Sequence, residues 1–274
     1  MNELVPVRGL SIYVEMEGDP QLPAVVFLHG FTGTSATWRE VRDEMQGKYR
    51  TIAIDLTGHG KTTVPGKPER YSMEEQIEDL EALFEHLKLD SFHLVGYSMG
   101  GRISLAYTVR YPKRVQALIL ESASPGLVDE QARTERRAGD KALAGKIMEG
   151  GIPSFVDKWE NIPLFESQKS LPAEKRLAIR NERLQQSVIG LANSLMGIGT
   201  GSQESYWEAI HSIQHPVFLI TGELDAKFVA IAQEMNDRSP TWRHNVVSRA
   251  GHAIHVEKPR LFATMIMEYL QGLQ

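Results

Sequence analysis

The chain has 274 residues, 42% of them hydrophobic, with a formal net charge of -5 and no cysteine. That apolar content suffices for one large core, while the weak negative charge gives no basic footprint for nucleic acid or for a membrane surface. The lack of cysteine excludes disulfides, thiolate metal sites and a cysteine nucleophile, and no apolar stretch approaches the roughly 20 residues that span a bilayer.

Residues 1–7 carry neither the positive region nor the long apolar core of a secretory signal, so a cytoplasmic location is expected. Residues 10–17 then alternate as an opening strand. A second strand, residues 25–28, is a continuous apolar run that ends in His29-Gly30-Phe31. The backbone turns back there, which makes the Phe31 N–H a candidate oxyanion donor. His29 reads either as a base or, as we prefer beside a turn glycine, as a residue that orients the loop. Residues 38–45 look helical. Residues 51–54 form another strand, and the loop after it runs Asp55-Leu56-Thr57-Gly58-His59-Gly60, in which Asp55 and His59 are assigned structural roles. Residues 73–87 place Met73, Ile77, Leu80, Phe84 and Leu87 at helical spacing, and Glu74, Glu75, Glu78, Asp79 and Glu81 are expected to form a solvated face.

Gly96-Tyr97-Ser98-Met99-Gly100 follows an apolar run at 92–95 and precedes a helix-like segment at 99–110. In that context it is a nucleophile elbow. A serine on so sharp a strand-to-helix turn needs glycines two positions before and after, where a Cβ would strike the neighbouring strand and helix. The turn exposes the Ser98 hydroxyl and aims the Met99 N–H at any oxyanion forming beside it.

After a strand at 117–120 the strand-helix alternation stops, and no convincing strand returns until 217–220. The intervening residues 127–205 read as a helical cap between the sixth and seventh strands, leaving residues 1–126 and 206–274 as the core. Lys and Arg balance Asp and Glu in the cap, so its arginines 133, 136, 137, 176, 180 and 183 read either as solvated helix faces or, for Arg136 and Arg180, as an inward-facing anion clamp. Trp159 and Phe165 read as cap core or as the apolar wall beside that clamp.

A serine of this kind needs a histidine base held by a carboxylate, in the order Ser, Asp or Glu, His. Asp225 lies just past the strand at 217–220, and His252 follows a strand-like run at 245–247 within Ala250-Gly251-His252. Glu223, two residues away, and Glu121, at the end of a neighbouring strand, compete with Asp225. His255 is expected to pack or solvate its loop, and His86, His93, His211, His215 and His244 show no metal-ligand spacing. An amphipathic helix at 260–270 closes the chain.

Together the elbow, the strand ending in His29-Gly30-Phe31, Asp225 and Gly251-His252 resemble the α/β-hydrolase superfamily: a mostly parallel sheet flanked by helices. Gly96 to Gly101, Ser124-Pro125-Gly126-Leu127, Trp159 with Pro163-Leu164-Phe165, Arg180, and Gly222-Glu223-Leu224-Asp225-Ala226-Lys227-Phe228 resemble the 2-succinyl-6-hydroxy-2,4-cyclohexadiene-1-carboxylate synthases of menaquinone biosynthesis. Arg136 is placed by its spacing after Leu127, a register that Arg133 and Arg137 leave open. The resemblance implies a lyase that removes a ring proton from a small, multiply anionic enolpyruvyl substrate and expels pyruvate. Ser98 then serves as base through His252 and Asp225, Phe31 and Met99 stabilise the oxyanion, and Arg136, Arg180, Trp159, Tyr97 and Phe165 contact substrate. No metal or organic cofactor is implied. A carboxylesterase or carbon-carbon hydrolase using Ser98 as nucleophile is the nearest alternative, and a non-enzymatic ligand receptor is one of another class. A serine in the elbow disfavours haloalkane dehalogenase chemistry, which needs aspartate. The oligomeric state is left open.

Overall fold

The computed structural model describes residues 2–273. In chain order the strands are β1 (Asn2–Val7), β2 (Leu10–Glu17), β3 (Ala24–Leu28), β4 (Arg50–Ile54), β5 (Phe92–Tyr97), β6 (Val115–Glu121), β7 (Val217–Gly222) and β8 (Arg243–Val247). The helices are α1 (Arg39–Glu44), α2 (Met73–His86), α3 (Met99–Arg110), α4 (Glu130–Trp159), α5 (Ala173–Leu184), α6 (Val188–Ile198), α7 (Ala226–Arg238), α8 (Ile254–Glu257) and α9 (Pro259–Gln271).

Among the described residues the strands form one eight-stranded sheet, ordered β1-β2-β4-β3-β5-β6-β7-β8. β2 is antiparallel to β1 and β4, and every pairing from β4 across to β8 is parallel. The two-residue period of a strand builds both faces. Val26, Leu28, Leu94 and Leu118 meet the apolar faces of α2 and α3, while Val25, Phe27, Val95 and Ile119 meet Trp38, Val41 and Phe262 from α1, α9 and the turn before α1.

Two elements differ from the sequence expectation. The chain opens one strand earlier, because β1 pairs with β2 from Asn2↔Glu15 to Val7↔Leu10, and Pro6 is tolerated since β1 is an edge strand. The acidic face of α2 is also not simply solvated. Asp79 is buried and binds Arg8 at 2.8 Å and Arg70 at 2.6 Å, and Glu81 takes Arg114 at 2.6 Å.

Between β6 and β7 lie α4, a 3-10 run at Pro163–Ser170, α5 and α6. α4 is broken at Gly151, whose φ of 71° and the following Pro153 end one helix and start the next. Ile147, Phe155, Val156, Leu191 and Leu195 form a separate apolar cluster there, joined by Trp159 and by Phe31 from below. No helix among the described residues is long and apolar enough to cross a membrane.

Candidate active site

The chain winds outward from β3 to β4 and then returns to place β5 on the other side of β3, so the carboxyl ends of β3 and β5 flank a crevice. Ser98 follows β5 at this crevice, Phe31 follows β3, Asp225 follows β7, and His252 lies on the loop after β8. Ser98 itself has φ 51° and ψ -108°, a strained conformation that lifts its side chain out of the turn. Its glycines are enforced by close approach. A Cβ on Gly96 would lie 2.3 Å from Ser104 Oγ, and one on Gly100 would lie 2.3 Å from the Leu28 carbonyl oxygen.

His252 Nδ1 donates to Asp225 Oδ2 at 2.6 Å, which leaves Nε2 as the acceptor facing Ser98 Oγ at 3.0 Å. Asp225 and His252 are both buried. The competing acids are engaged elsewhere: Glu121 accepts from the backbone N and Nδ1 of His255, and Glu223, exposed, accepts from the Arg249 N–H at 2.8 Å. His255 is packed, stacking on Trp38 with ring centroids 4.2 Å apart.

His29 donates from Nδ1 to the Gly30 carbonyl at 2.8 Å and accepts from the Leu56 N–H on Nε2 at 3.0 Å. Burial lowers its pKa to about 4, so at neutral pH it is an uncharged tie between two loops. Asp55 accepts the Ser35 N–H at 2.6 Å and the Lys61 N–H at 2.8 Å. His59, held to about 3 by burial, bonds the Thr57 carbonyl. All three brace the loops beside Ser98.

Above Ser98 and His252 is a cavity of about 380 Å³, with Phe31, Tyr97, Met99, Trp159, Phe165 and Arg136 among its lining residues. Trp159 meets Phe31 and Phe165 edge to face at 5.5 and 5.8 Å, and its buried Nε1 has no hydrogen-bond partner among the described residues. Arg133 and Arg137 point to the carbonyls of Gln203 and Gly201, so of the three neighbouring arginines it is Arg136 that reaches the cavity. Arg180 does not line it. On α5, Arg180 is drawn to Asp157 at 2.5 Å and Glu160 at 2.6 Å, outside the Ser98 cavity.

The sequence reading also passed over Arg102, Asp140, Lys227 and Phe228 as cavity residues. Arg102 had a signal. It lies four residues past Ser98, one turn along α3 and on the same face. It is buried, donates to Gln203 Oε1 and has no carboxylate at ion-pair distance among the described residues. Burial, then the nearby Arg136, lowers its pKa to about 10, so it stays charged at neutral pH. A desolvated cation with no direct ion pair, helped only by the field of Asp140, is costly to bury, and an anionic ligand would offset that cost. Asp140 sits beside the two arginines, its pKa raised by burial. Among the described residues no group of three His, Asp or Glu side chains is arranged to hold a metal ion.

The alpha/beta hydrolase fold family matches residues 23–259. A 2-succinyl-6-hydroxy-2,4-cyclohexadiene-1-carboxylate synthase of Salmonella agona (strain SL483) is 34% identical over 245 residues, 89% of this chain and 92% of that protein. A Bacillus subtilis (strain 168) protein given the same synthase name provisionally is 47% identical over 265 residues, 97% of this chain and 96% of its own. The chain belongs to this synthase family of α/β hydrolases. A structure of MenH from S. aureus superposes on 94% of the chain and 98% of its own with a TM-score of 0.90 and 37% identity. The enol-lactonase from Burkholderia xenovorans LB400, at 19% identity and a TM-score of 0.85 over 98% of this chain and 99% of its own, shares the fold. Within the synthase family, then, the cavity over Ser98 is the place to look for substrate.

Proposed function

We propose that this chain eliminates pyruvate from 2-succinyl-5-enolpyruvyl-6-hydroxy-3-cyclohexene-1-carboxylate to give 2-succinyl-6-hydroxy-2,4-cyclohexadiene-1-carboxylate, a cytoplasmic step of menaquinone biosynthesis. Beyond family membership, the observation that supports this reading is the pair of guanidinium groups, Arg102 and Arg136, that share one cavity with Ser98. A small neutral ester has no use for them; a substrate with several carboxylates does.

The change from a 3-ene to a 2,4-diene fixes the electron flow. The ring proton beside the succinyl ketone leaves, its bonding pair becomes the new C2–C3 double bond, the old double bond moves to C4–C5, and the C5–O pair departs with the enolpyruvyl group. Proton uptake by that enolate completes pyruvate. In this reading Ser98 removes the proton as its own passes to His252, and Asp225 supports the imidazolium. Charge that builds on the ketone oxygen is met by the N–H groups of Met99, in the first turn of α3, and of Phe31. Residues 127–205 act as the cap, with Phe165 and Trp159 excluding water and Arg136 holding a carboxylate together with Arg102.

The experiment is direct: purified protein is mixed with the enolpyruvyl substrate, and pyruvate is followed beside the conjugated diene. One pyruvate per diene is expected. Hydrolysis of small esters without pyruvate release would favour the carboxylesterase reading.

A further inference from the structure

We propose that Gln186 is a positioning residue for the Phe31 N–H, so that seating of the cap helices on the core completes the oxyanion hole. The inference rests on the reading of the Ser98 site given above. Phe31 lies in a turn from Gly30 to Gly33 packed against the elbow, close enough that a Cβ on Gly30 would be 3.5 Å from Ser98 Cβ. Thr32 in this turn has φ 70°, a left-handed conformation that a β-branched residue keeps only when its surroundings over-determine it.

The surroundings come from both sides. From the core, His29 Nδ1 bonds the Gly30 carbonyl. From the cap, Gln186, buried in the turn between α5 and α6, donates its Nε2 to the carbonyls of Thr32 and Gly33 at 3.3 Å each and accepts the Gly60 N–H on Oε1 at 3.2 Å. One turn earlier Glu182 accepts the Thr34 hydroxyl at 2.6 Å, and Lys175 reaches Glu40 at 2.7 Å.

The peptide planes relay the constraint. In a trans peptide the C=O and the next N–H point in opposite directions. Gln186 fixes the Thr32 carbonyl, which aims the Gly33 N–H the other way, onto the Gly30 carbonyl at 3.1 Å. With that carbonyl held by Gly33 and His29, the N–H across the same peptide, that of Phe31, is turned away from both. The Phe31 ring meanwhile packs on Phe155 and Trp159 of the cap. Backbone and side chain of the donor are thus both set by the cap, although neither Gln186 nor Glu182 lines the Ser98 cavity.

The test uses Gln186→Glu, which keeps the shape and the Gly60 contact but removes both donors, and Gln186→Met, which removes every hydrogen bond. Steady-state pyruvate release and the rate of Ser98 modification by a fluorophosphonate probe are measured with melting temperature. Both variants should lose about tenfold or more in kcat with KM within threefold, and probe labelling should slow in parallel, since the phosphonate oxygen uses the same donors. Wild-type kcat and labelling rate in folded variants, or a rise in KM alone, would overturn the proposal. Should the wild-type protein release no pyruvate, the labelling arm still reads the oxyanion hole, so failure of the substrate assignment is distinguishable from failure of this one.

Discussion

Arg136 donates its Nε to both carboxylate oxygens of Asp140, at 2.9 and 3.0 Å, while its terminal nitrogens bond no described residue. Asp140 therefore anchors the side chain at its neck and leaves the outer part of the fork for a ligand in the cavity. A residue of α4 thus presents the free end of a guanidinium to the cavity over Ser98.

It follows that Arg102→Ala, which removes a buried cation, should lower kcat/KM for the anionic substrate by about 10²-fold, while Arg136→Ala, at a solvent-exposed side chain, should lower it by about tenfold or less. Lysine at either position should restore only part, because the planar fork is lost. Cleavage of a small neutral ester should be spared. Arg180→Ala should do little to either, its guanidinium being committed to Asp157 and Glu160. Small, equal effects of all three substitutions on both substrates would remove the charge argument.

Ser98→Ala and His252→Ala should each reduce kcat by roughly 10³-fold or more, and the double variant should be little worse, because the two act as one proton-transfer unit. Asp225→Asn should be severe as well. Glu121→Gln is expected to act on stability instead. It weakens a fully buried pair with His255 and should cost on the order of 1–3 kcal/mol of unfolding free energy, read by denaturant titration. A folded Glu121→Gln protein without turnover, beside an active Asp225→Asn protein, would reverse the assignment of the acid.

Acid should loosen the fold through its buried neutral histidines. Burial lowers His29 and His93 to about 4 and His59 to about 3, against an ordinary value of 6.5. The unfolded chain thus binds more protons than the folded one between these values, so their stabilisation is complete above pH 6.5 and is lost as pH falls toward 4. Asp55, Asp140 and Glu182, raised by burial, have the opposite sign nearer the ordinary carboxylate range. Melting temperature should fall from pH 7 to pH 5, with less fall in a His59→Gln variant. A flat profile across that window would contradict the burial argument.

The parts of this protein legible in its sequence are those where chemistry is local. Ser98 is marked by glycines that a neighbouring backbone forbids to carry a Cβ, and that constraint is visible within five residues. Asp225 and His252 follow strands whose apolar runs are plain. The cap arginines were harder, since helical spacing does not say which face a helix turns inward. Arg180 meets Asp157 near the end of α4 and Glu160 just past it, acids that only folding brings near, and Arg102, a residue of the elbow helix with no motif of its own, is a buried cation of the cavity. β1 was missed because its pairing partner, not its own composition, makes it a strand. Gln186 carries no motif, and its role depends on three backbone groups more than a hundred residues away in sequence.

In the proposed reaction a hydrolase-type triad removes a proton and forms no covalent bond to substrate. The most direct test is a rapid-quench time course with the enolpyruvyl substrate in excess, in which pyruvate and the intact mass of the enzyme are measured in the same samples. Pyruvate should rise linearly without a burst while the protein mass stays that of the free chain. A burst of product together with a stoichiometric adduct on Ser98 would contradict the account and make Ser98 a nucleophile.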